Sequence, residues 1–97
     1  MEVSVGVGPD RFVLAQNYPN PFNPSTIIEF TIPQSGFATM KVFNVLGQEV
    51  ATLFEGMAEA GKIYATRLNA SSLPSGLYFY RLRSSEKVET KRMVLVK

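Results

Sequence analysis

The segment of residues 14–26 restricts what this 97-residue chain can fold into more than any other stretch does. It holds three of the six prolines and an asparagine at every third position: Asn17, Pro19, Asn20, Pro21, Asn23 and Pro24. Each proline fixes φ near −65°, lacks a backbone donor and pushes the preceding residue toward extended geometry. The segment therefore cannot form a helix or a central strand, and we expect an ordered, extended stretch.

Two aromatic residues in this segment, Tyr18 and Phe22, favour an ordered structure over a plain proline-rich spacer. We predict that both side chains lie on the edge of a hydrophobic core and that Phe22 is an anchor there. Asparagine side chains readily form hydrogen bonds to nearby backbone groups. We therefore expect Asn17, Asn20 and Asn23 to hold the extended backbone in place.

The rest of the chain has the apolar–polar alternation that is typical of half-buried strands. The alternation is strongest in residues 27–32, 37–45, 49–54, 62–69, 76–84 and 87–96. Val3, Val5 and Val7 alternate as well, which predicts either a short edge strand or a frayed linker. Turn residues separate the stretches, residues 55–61 are predicted to be a loop, and no helical period is present. This pattern predicts an antiparallel β-sandwich.

The same alternation predicts which side chains face the core. The expected inward positions are Ile28, Phe30, Ile32, Ala38, Met40, Val42, Tyr78, Tyr80 and Leu82. Gly47 lies in a short turn and is expected to adopt a positive φ. Gly76 precedes the most β-prone strand and is expected to have a positive φ or a close backbone neighbour.

The composition argues against an enzyme. The chain has no cysteine and no histidine, so it lacks thiolate chemistry and the commonest metal ligand and general base. A serine nucleophile would need a lysine base, and no motif supports one. The glycines near the amino terminus precede no helix, so they form no phosphate-binding loop. We predict no catalytic residues, no cofactor and no metal site.

Charge and hydropathy limit the partners. A net charge of +2 is too small to indicate a nucleic-acid partner. No apolar run approaches the ~20 residues that a spanning helix needs, so we expect no stable membrane insertion. The first residues lack the basic and apolar regions of a signal peptide. If the protein is exported, we expect its export signal to lie outside this chain.

Four blocks of sequence together resemble a known family. They are the segment of residues 14–26 with its Asn-Pro-Phe-Asn-Pro core, residues 41–50, residues 73–82 and residues 91–97. In this order they closely resemble the C-terminal sorting domain (type A) of cargo of the type IX (Por) secretion system. The immunoglobulin-like module of flagellar hook-capping proteins is related and shares the first and third blocks.

The resemblance implies an immunoglobulin-like antiparallel β-sandwich of about seven strands over residues 14–97. Residues 1–13 would be a linker or an edge strand from the preceding cargo region. Proteins of this family occur in Bacteroidota, where the domain is a non-catalytic signal. The cargo passes through the periplasm, crosses the outer membrane through the type IX translocon and is then secreted or held at the cell surface. A sortase-like surface peptidase usually removes the domain.

By the same resemblance, the terminal block is the expected site of translocon recognition: Lys91, Arg92, Met93, Val94, Leu95, Val96 and Lys97. The expected structural motif consists of Asn17, Tyr18, Pro19, Asn20, Pro21, Phe22, Asn23, Pro24, Gly47, Gly76 and Tyr78. The expected partners are the translocon, the sortase-like peptidase and the upstream cargo. Recognition through an exposed strand edge is a further hypothesis.

Two other functions stay open at this point. One is a structural or assembly module like that of hook-capping proteins. The other is an accessory binding module, in which Tyr78, Phe79 and Tyr80 would form a stacking platform, although core packing explains these aromatics better. Lys87, Lys91 and Arg92 could face an anionic surface, but we interpret them as a solvated edge that discourages aggregation.

Overall fold

The described part of the chain is built of strands and contains no helix. The computed structural model describes residues 11–85 and 87–97. Its strands are β1 (Val13–Leu14), β2 (Ser25–Thr31), β3 (Gly36–Phe43), β4 (Glu49–Ala58), β5 (Tyr64–Asn69), β6 (Gly76–Ser84) and β7 (Lys87–Leu95). The alternating stretches of the sequence form these strands because every second side chain can be buried.

The strands form two antiparallel sheets. One has the order β1-β2-β5 and the other the order β4-β3-β6-β7. In the larger sheet, β3 and β6 pair centrally, with Met40 opposite Leu82. The inward faces of both sheets contribute to a single core. The predicted all-β sandwich of about seven strands is confirmed.

All nine side chains that alternation assigned to the core are buried. The least buried of them, Tyr78, has 5% of its surface exposed. At one side of the core, the rings of Phe30, Phe54 and Tyr64 contact one another with centroids 5.2–5.3 Å apart. This cluster joins β2 and β5 to β4, so it helps to close one side of the sandwich.

Strand β4 is longer than predicted. Residues 55–58, which we expected in a loop, continue the strand and pair with β3 as far as Ala58 opposite Gly36. The register shifts twice along this pair, so that Val50 and Leu53 have no direct partner on β3. Each extra residue reverses the alternation within residues 49–54. In residues 55–58 the inward Gly56 and the exposed Met57 make the strand pattern hard to recognise in the sequence.

Two glycines agree with their expected backbone conformation. Gly47 has a φ of +82° in the β3–β4 turn, where the Asn44 side-chain oxygen accepts hydrogen bonds from the N–H groups of Leu46 and Gln48. Gly76 has a φ of +150°. A Cβ atom placed on Gly76 would meet no atom within 4 Å, so the backbone conformation alone accounts for this glycine.

The start of the chain bears on the predicted domain boundary. The strand expected at Val3, Val5 and Val7 lies outside the described residues. Within the described part, β1 pairs with β2 through Val13 opposite Thr31 and Leu14 opposite Phe30. The boundary between residues 13 and 14 stays a prediction.

Candidate recognition site

Asn17 connects the proline-rich segment to both sheets. Its buried side-chain amide donates hydrogen bonds to the Pro19 carbonyl and to Thr26 Oγ1, each at 3.0 Å. Its backbone N–H donates to the Tyr80 hydroxyl at 2.8 Å, and that hydroxyl donates to the Ala15 carbonyl at 2.8 Å. We call residues 16–24 the Asn–Pro segment. The start of the Asn–Pro segment is therefore held against β6 by the phenol of Tyr80.

The Tyr80 phenol is kept neutral by its surroundings. Burial raises the pKa of Tyr80 to about 12, and the nearby charge of Glu89 acts in the same direction. The hydrogen bond from the Asn17 backbone lowers the pKa and is outweighed. The phenol therefore retains the proton that it donates to the Ala15 carbonyl.

The two aromatics of the Asn–Pro segment have different environments. Phe22 is 1% exposed and belongs to the core, as predicted. Tyr18 is 80% exposed, so the prediction that it lies on the core was wrong. Its backbone N–H and C=O both bond to Ile27 at 2.9 Å, which makes a short bridge beside β2. Because Asn17 takes the inward position there, the next side chain points to solvent.

The Asn–Pro segment lies along the outer edge of β7. Phe22 N–H donates to the Val94 carbonyl, and Val96 N–H donates to the Phe22 carbonyl, both at 2.9 Å. The side chain of Asn20 accepts from Val94 N–H at 3.0 Å, and that of Gln16 donates to the Arg92 carbonyl at 2.9 Å. We call residues 91–97 the tail. Two stretches that sequence reasoning singled out separately are thus joined side by side.

This arrangement limits the strand-edge hypothesis. Most of the backbone groups that the tail would offer to a partner strand are already bonded to the chain's own Asn–Pro segment: the Arg92 carbonyl, the N–H and carbonyl of Val94, and the Val96 N–H. A partner could add a strand at this position only by displacing that segment. Recognition of the tail in its folded form would have to use side chains.

The tail presents only part of its side chains. Met93 and Leu95 are buried in the core, whereas Val94 and Val96 are 37% and 48% exposed. Lys91 is half-buried, with its Nζ 3.7 Å from Glu89. The seven predicted recognition residues therefore divide into core residues and an outward-facing set.

Lys97 is held at the end of the sandwich. Its Nζ donates to the Ser71 carbonyl at 2.6 Å and its backbone N–H donates to Ser75 Oγ at 3.1 Å. Both partners belong to the β5–β6 loop. Lys97 thus extends the tail beyond β7 along the surface of the domain.

The stacking platform considered for β6 is not formed. Tyr78 and Tyr80 are buried, and the Tyr78 hydroxyl donates to the Pro74 carbonyl at 2.6 Å. Phe79 is half-buried on the opposite face of the strand. The three aromatics therefore do not share a surface, and Tyr78 instead secures the β5–β6 loop.

The basic residues of β7 do not act as one group. Alternation puts Lys87 and Lys91 on one face of the strand and Arg92 on the other, where it lies on the same sheet face as Arg81 and Arg83 of β6. Sequence reasoning missed these two arginines. The signal was present, because Arg81 and Arg83 alternate with the buried residues of β6.

Residues 11–85 and 87–97 contain no cluster of three or more acidic side chains that could hold a metal ion. The two ion pairs found among them, Lys41–Glu49 and Lys91–Glu89, are partly exposed. A hydrogen bond from the Thr52 hydroxyl is the main cause that lowers the pKa of Glu49.

Within residues 11–85 and 87–97, no helix is long and apolar enough to span a membrane.

The chain was compared with known families. A family model described as "Secretion system C-terminal sorting domain" matches residues 16–97. The matched range contains the whole Asn–Pro segment, strands β2 to β7 and the tail. No curated protein matches the chain.

Proposed function

Because the chain belongs to the family of secretion-system C-terminal sorting domains, we propose that it directs a cargo protein through the type IX translocon across the outer membrane. In this role the domain is a signal and performs no catalysis. The cargo passes through the periplasm and ends outside the cell or on its surface, where a sortase-like peptidase removes the domain. The match over residues 16–97 is the observation that carries this proposal.

The packing of the matched residues supports a signal that is read as a folded surface. The Asn–Pro segment and the tail, which lie 74 residues apart between Asn20 and Val94, form one joined unit. Their buried apolar members, Phe22, Met93 and Leu95, build the core, so the outward residues are presented in a defined geometry.

We propose that the translocon reads the outward side of the tail. Met93 and Leu95 hold the strand in place, and Val94 and Val96 are the apolar side chains that a partner can reach. Each lies next to a backbone group that bonds to Phe22, so its position is determined by the Asn–Pro segment.

The experiment attaches the whole 97-residue chain behind a reporter that reaches the periplasm of a type IX-competent bacterium. The measured quantity is reporter outside the cell, with and without the chain. We expect export only with the chain, and a clear reduction in the variant Val94→Thr/Val96→Thr, which keeps the β-branched shape and changes polarity. The matched control is Ile27→Thr/Val45→Thr, which changes two exposed apolar residues elsewhere.

The outcomes separate the possibilities. Reporter that stays in the periplasm with the chain attached contradicts the sorting role and favours a structural β-module. Export that is equal in the tail variant and its control supports the sorting role but contradicts recognition through Val94 and Val96. Melting temperatures of the purified variants show whether either pair has altered the fold.

A further inference from the structure

The outer face of the four-stranded sheet is divided by charge. Arg81 and Arg83 project from β6 and Arg92 from β7, whereas the carboxylates on this face, Glu49 and Glu55, both lie on β4 at the opposite edge. The alternation of β7 puts its described carboxylate, Glu89, on the other side of the strand. The β6–β7 half of this face therefore presents cations alone among the described residues.

The three arginines are close neighbours. Residues two apart on a strand are about 7 Å apart, which places Arg81 beside Arg83. Arg81 is opposite Thr90, so Arg92 is its diagonal neighbour across the strand pair at about 7–8 Å. Lys41 is directly opposite Arg81 on β3. Like charges at these positions repel one another.

Among the described residues, only part of this repulsion is relieved. Lys41 has Glu49 at 3.4 Å, and the Arg81 guanidinium lies 4.6 Å from the centroid of the Phe43 ring. Arg83 and Arg92 are exposed, and in the described part of the chain neither has a carboxylate within ion-pair distance. An acidic partner would supply the missing counter-charges.

The composition around the arginines favours a protein as that partner. Phe43 and Phe79 face each other across β3 and β6 and are half-buried on this same face. Arginine beside aromatic side chains is characteristic of the cores of protein interfaces. The planar guanidinium also matches a carboxylate with two parallel hydrogen bonds, which a point charge does not do.

We propose that the β6–β7 half of this outer face docks an acidic protein surface, with carboxylates meeting Arg81, Arg83 and Arg92 beside the Phe43–Phe79 pair. This inference rests on the proposed function, because the partner is taken to be a component of the secretion machinery. Arg81 and Arg83 lie on β6, outside the tail, whereas Arg92 is two residues from Val94 on the same face of β7, so the site adjoins the Val94 side chain.

The test uses the same reporter with the full chain. In the variant Arg83→Glu/Arg92→Glu, we expect reporter outside the cell to fall about tenfold or more, because attraction at the interface becomes repulsion. The matched control is Lys62→Glu/Arg67→Glu, which makes the same charge change at exposed residues of β5 and the loop before it. We expect this control to export like the unchanged chain.

A folding check keeps the test decisive. The melting temperatures of both purified variants are compared with that of the unchanged chain. If the glutamate pair lowers the melting temperature, Arg83→Gln/Arg92→Gln replaces it, with Lys62→Gln/Arg67→Gln as its control. A reduction in export that is confined to the arginine pair supports the docking face.

Three results would each overturn a different proposal: the sorting role, the docking face, or the protein nature of the partner. Failure of the unchanged chain to export the reporter removes the sorting role itself. Normal export by the arginine variant leaves the sorting role intact and overturns the docking face. Sedimentation of the purified chain with phosphatidylglycerol vesicles that is lost only in the arginine variant would assign this face to an anionic membrane surface and overturn the protein partner.

Discussion

Tyr80 shows at the scale of a single residue how the Asn–Pro segment depends on the core. Its hydroxyl bonds to the N–H of Asn17 and to the carbonyl of Ala15. Replacing Tyr80 with Phe leaves both backbone groups without this partner, and we expect a loss of about 1–3 kcal/mol in the free energy of unfolding at neutral pH. Chemical denaturation measures this loss.

The raised pKa of Tyr80 adds a pH dependence. The pKa is about 12 in the folded chain and about 10 when unfolded, so folding retains a proton that the unfolded chain loses. The stabilisation from Tyr80 is complete below pH ~10 and is lost as the pH rises through ~12. We expect the stability difference between the unchanged chain and Tyr80→Phe to shrink over this range. A stability difference between the two proteins that stays constant from pH 8 to 12 would contradict this pH dependence.

Phe22 and Tyr18 provide a matched pair of aromatics within one segment. Phe22→Ala removes a fully buried ring and should lower the free energy of unfolding by about 3–5 kcal/mol. Tyr18→Ala changes an exposed ring and should alter stability by about 0.5 kcal/mol or less. Urea unfolding of both variants checks the contrast. Similar losses in the two would mean that the segment is not anchored by Phe22.

A substitution at Gly76 tests the effect of the backbone conformation separately from side-chain packing. A side chain at this position fits the available space but not the φ of +150°. Gly76→Val should therefore destabilise the fold by more than ~1 kcal/mol. Gly36→Val, at a strand residue that also has free space around it, is the control. An unchanged melting temperature for Gly76→Val would refute the explanation.

At the scale of elements, the pairing between the Asn–Pro segment and β7 can be measured amide by amide. Asn20→Ala removes the acceptor of Val94 N–H, whereas the acceptor of Val96 N–H, the Phe22 carbonyl, remains. We expect hydrogen exchange to accelerate more at Val94 than at Val96. The exposed Asn23 supplies the control, and Asn23→Ala should leave both amides unchanged. Equal acceleration at both amides would indicate that the whole segment detaches.

The elements that could be predicted from sequence are those with uninterrupted alternation. Buried Ile28 and Phe30 in β2, or Tyr80 and Leu82 in β6, follow directly from the period of two. The end of β4 could not be predicted, because a glycine, Gly56, takes an inward position there and an apolar residue, Met57, is exposed. Tyr18 was misplaced because an aromatic ring suggests burial, whereas its side of the chain is decided by the bridge to Ile27.

At the scale of the whole molecule, the tail is part of the fold as well as a candidate signal. Deleting residues 91–97 would remove Met93 and Leu95 from the core and the partners of Phe22. We expect the shortened chain to lose its cooperative unfolding transition, as measured by calorimetry. A deletion mutant that melts like the full chain would contradict this. Loss of export after such a deletion would therefore not identify a recognition residue.

The candidate site could be predicted only in part, because residues that are neighbours in the site are far apart in the sequence. Residues 91–97 form a recognisable block in the sequence, but the segment that covers their edge lies 74 to 76 residues earlier. The cationic face depends on three strands, because Lys41, Arg81 and Arg92 become neighbours only through the registers of β3, β6 and β7. Alternation within one strand indicates a face, but the sequence does not reveal which strands adjoin.

The bridge between Phe22 and Leu95 is parallel, whereas the paired strands of both sheets are antiparallel. A tensile load applied between the residues before Gln16 and the residues after Val96 would pull these two stretches in opposite directions along their length. The hydrogen bonds of Phe22 with Val94 and Val96 would then be loaded together in shear and could not be peeled apart one at a time. The pairing of Phe22 with β7 is therefore the junction at which the domain resists a pulling force applied to its two ends.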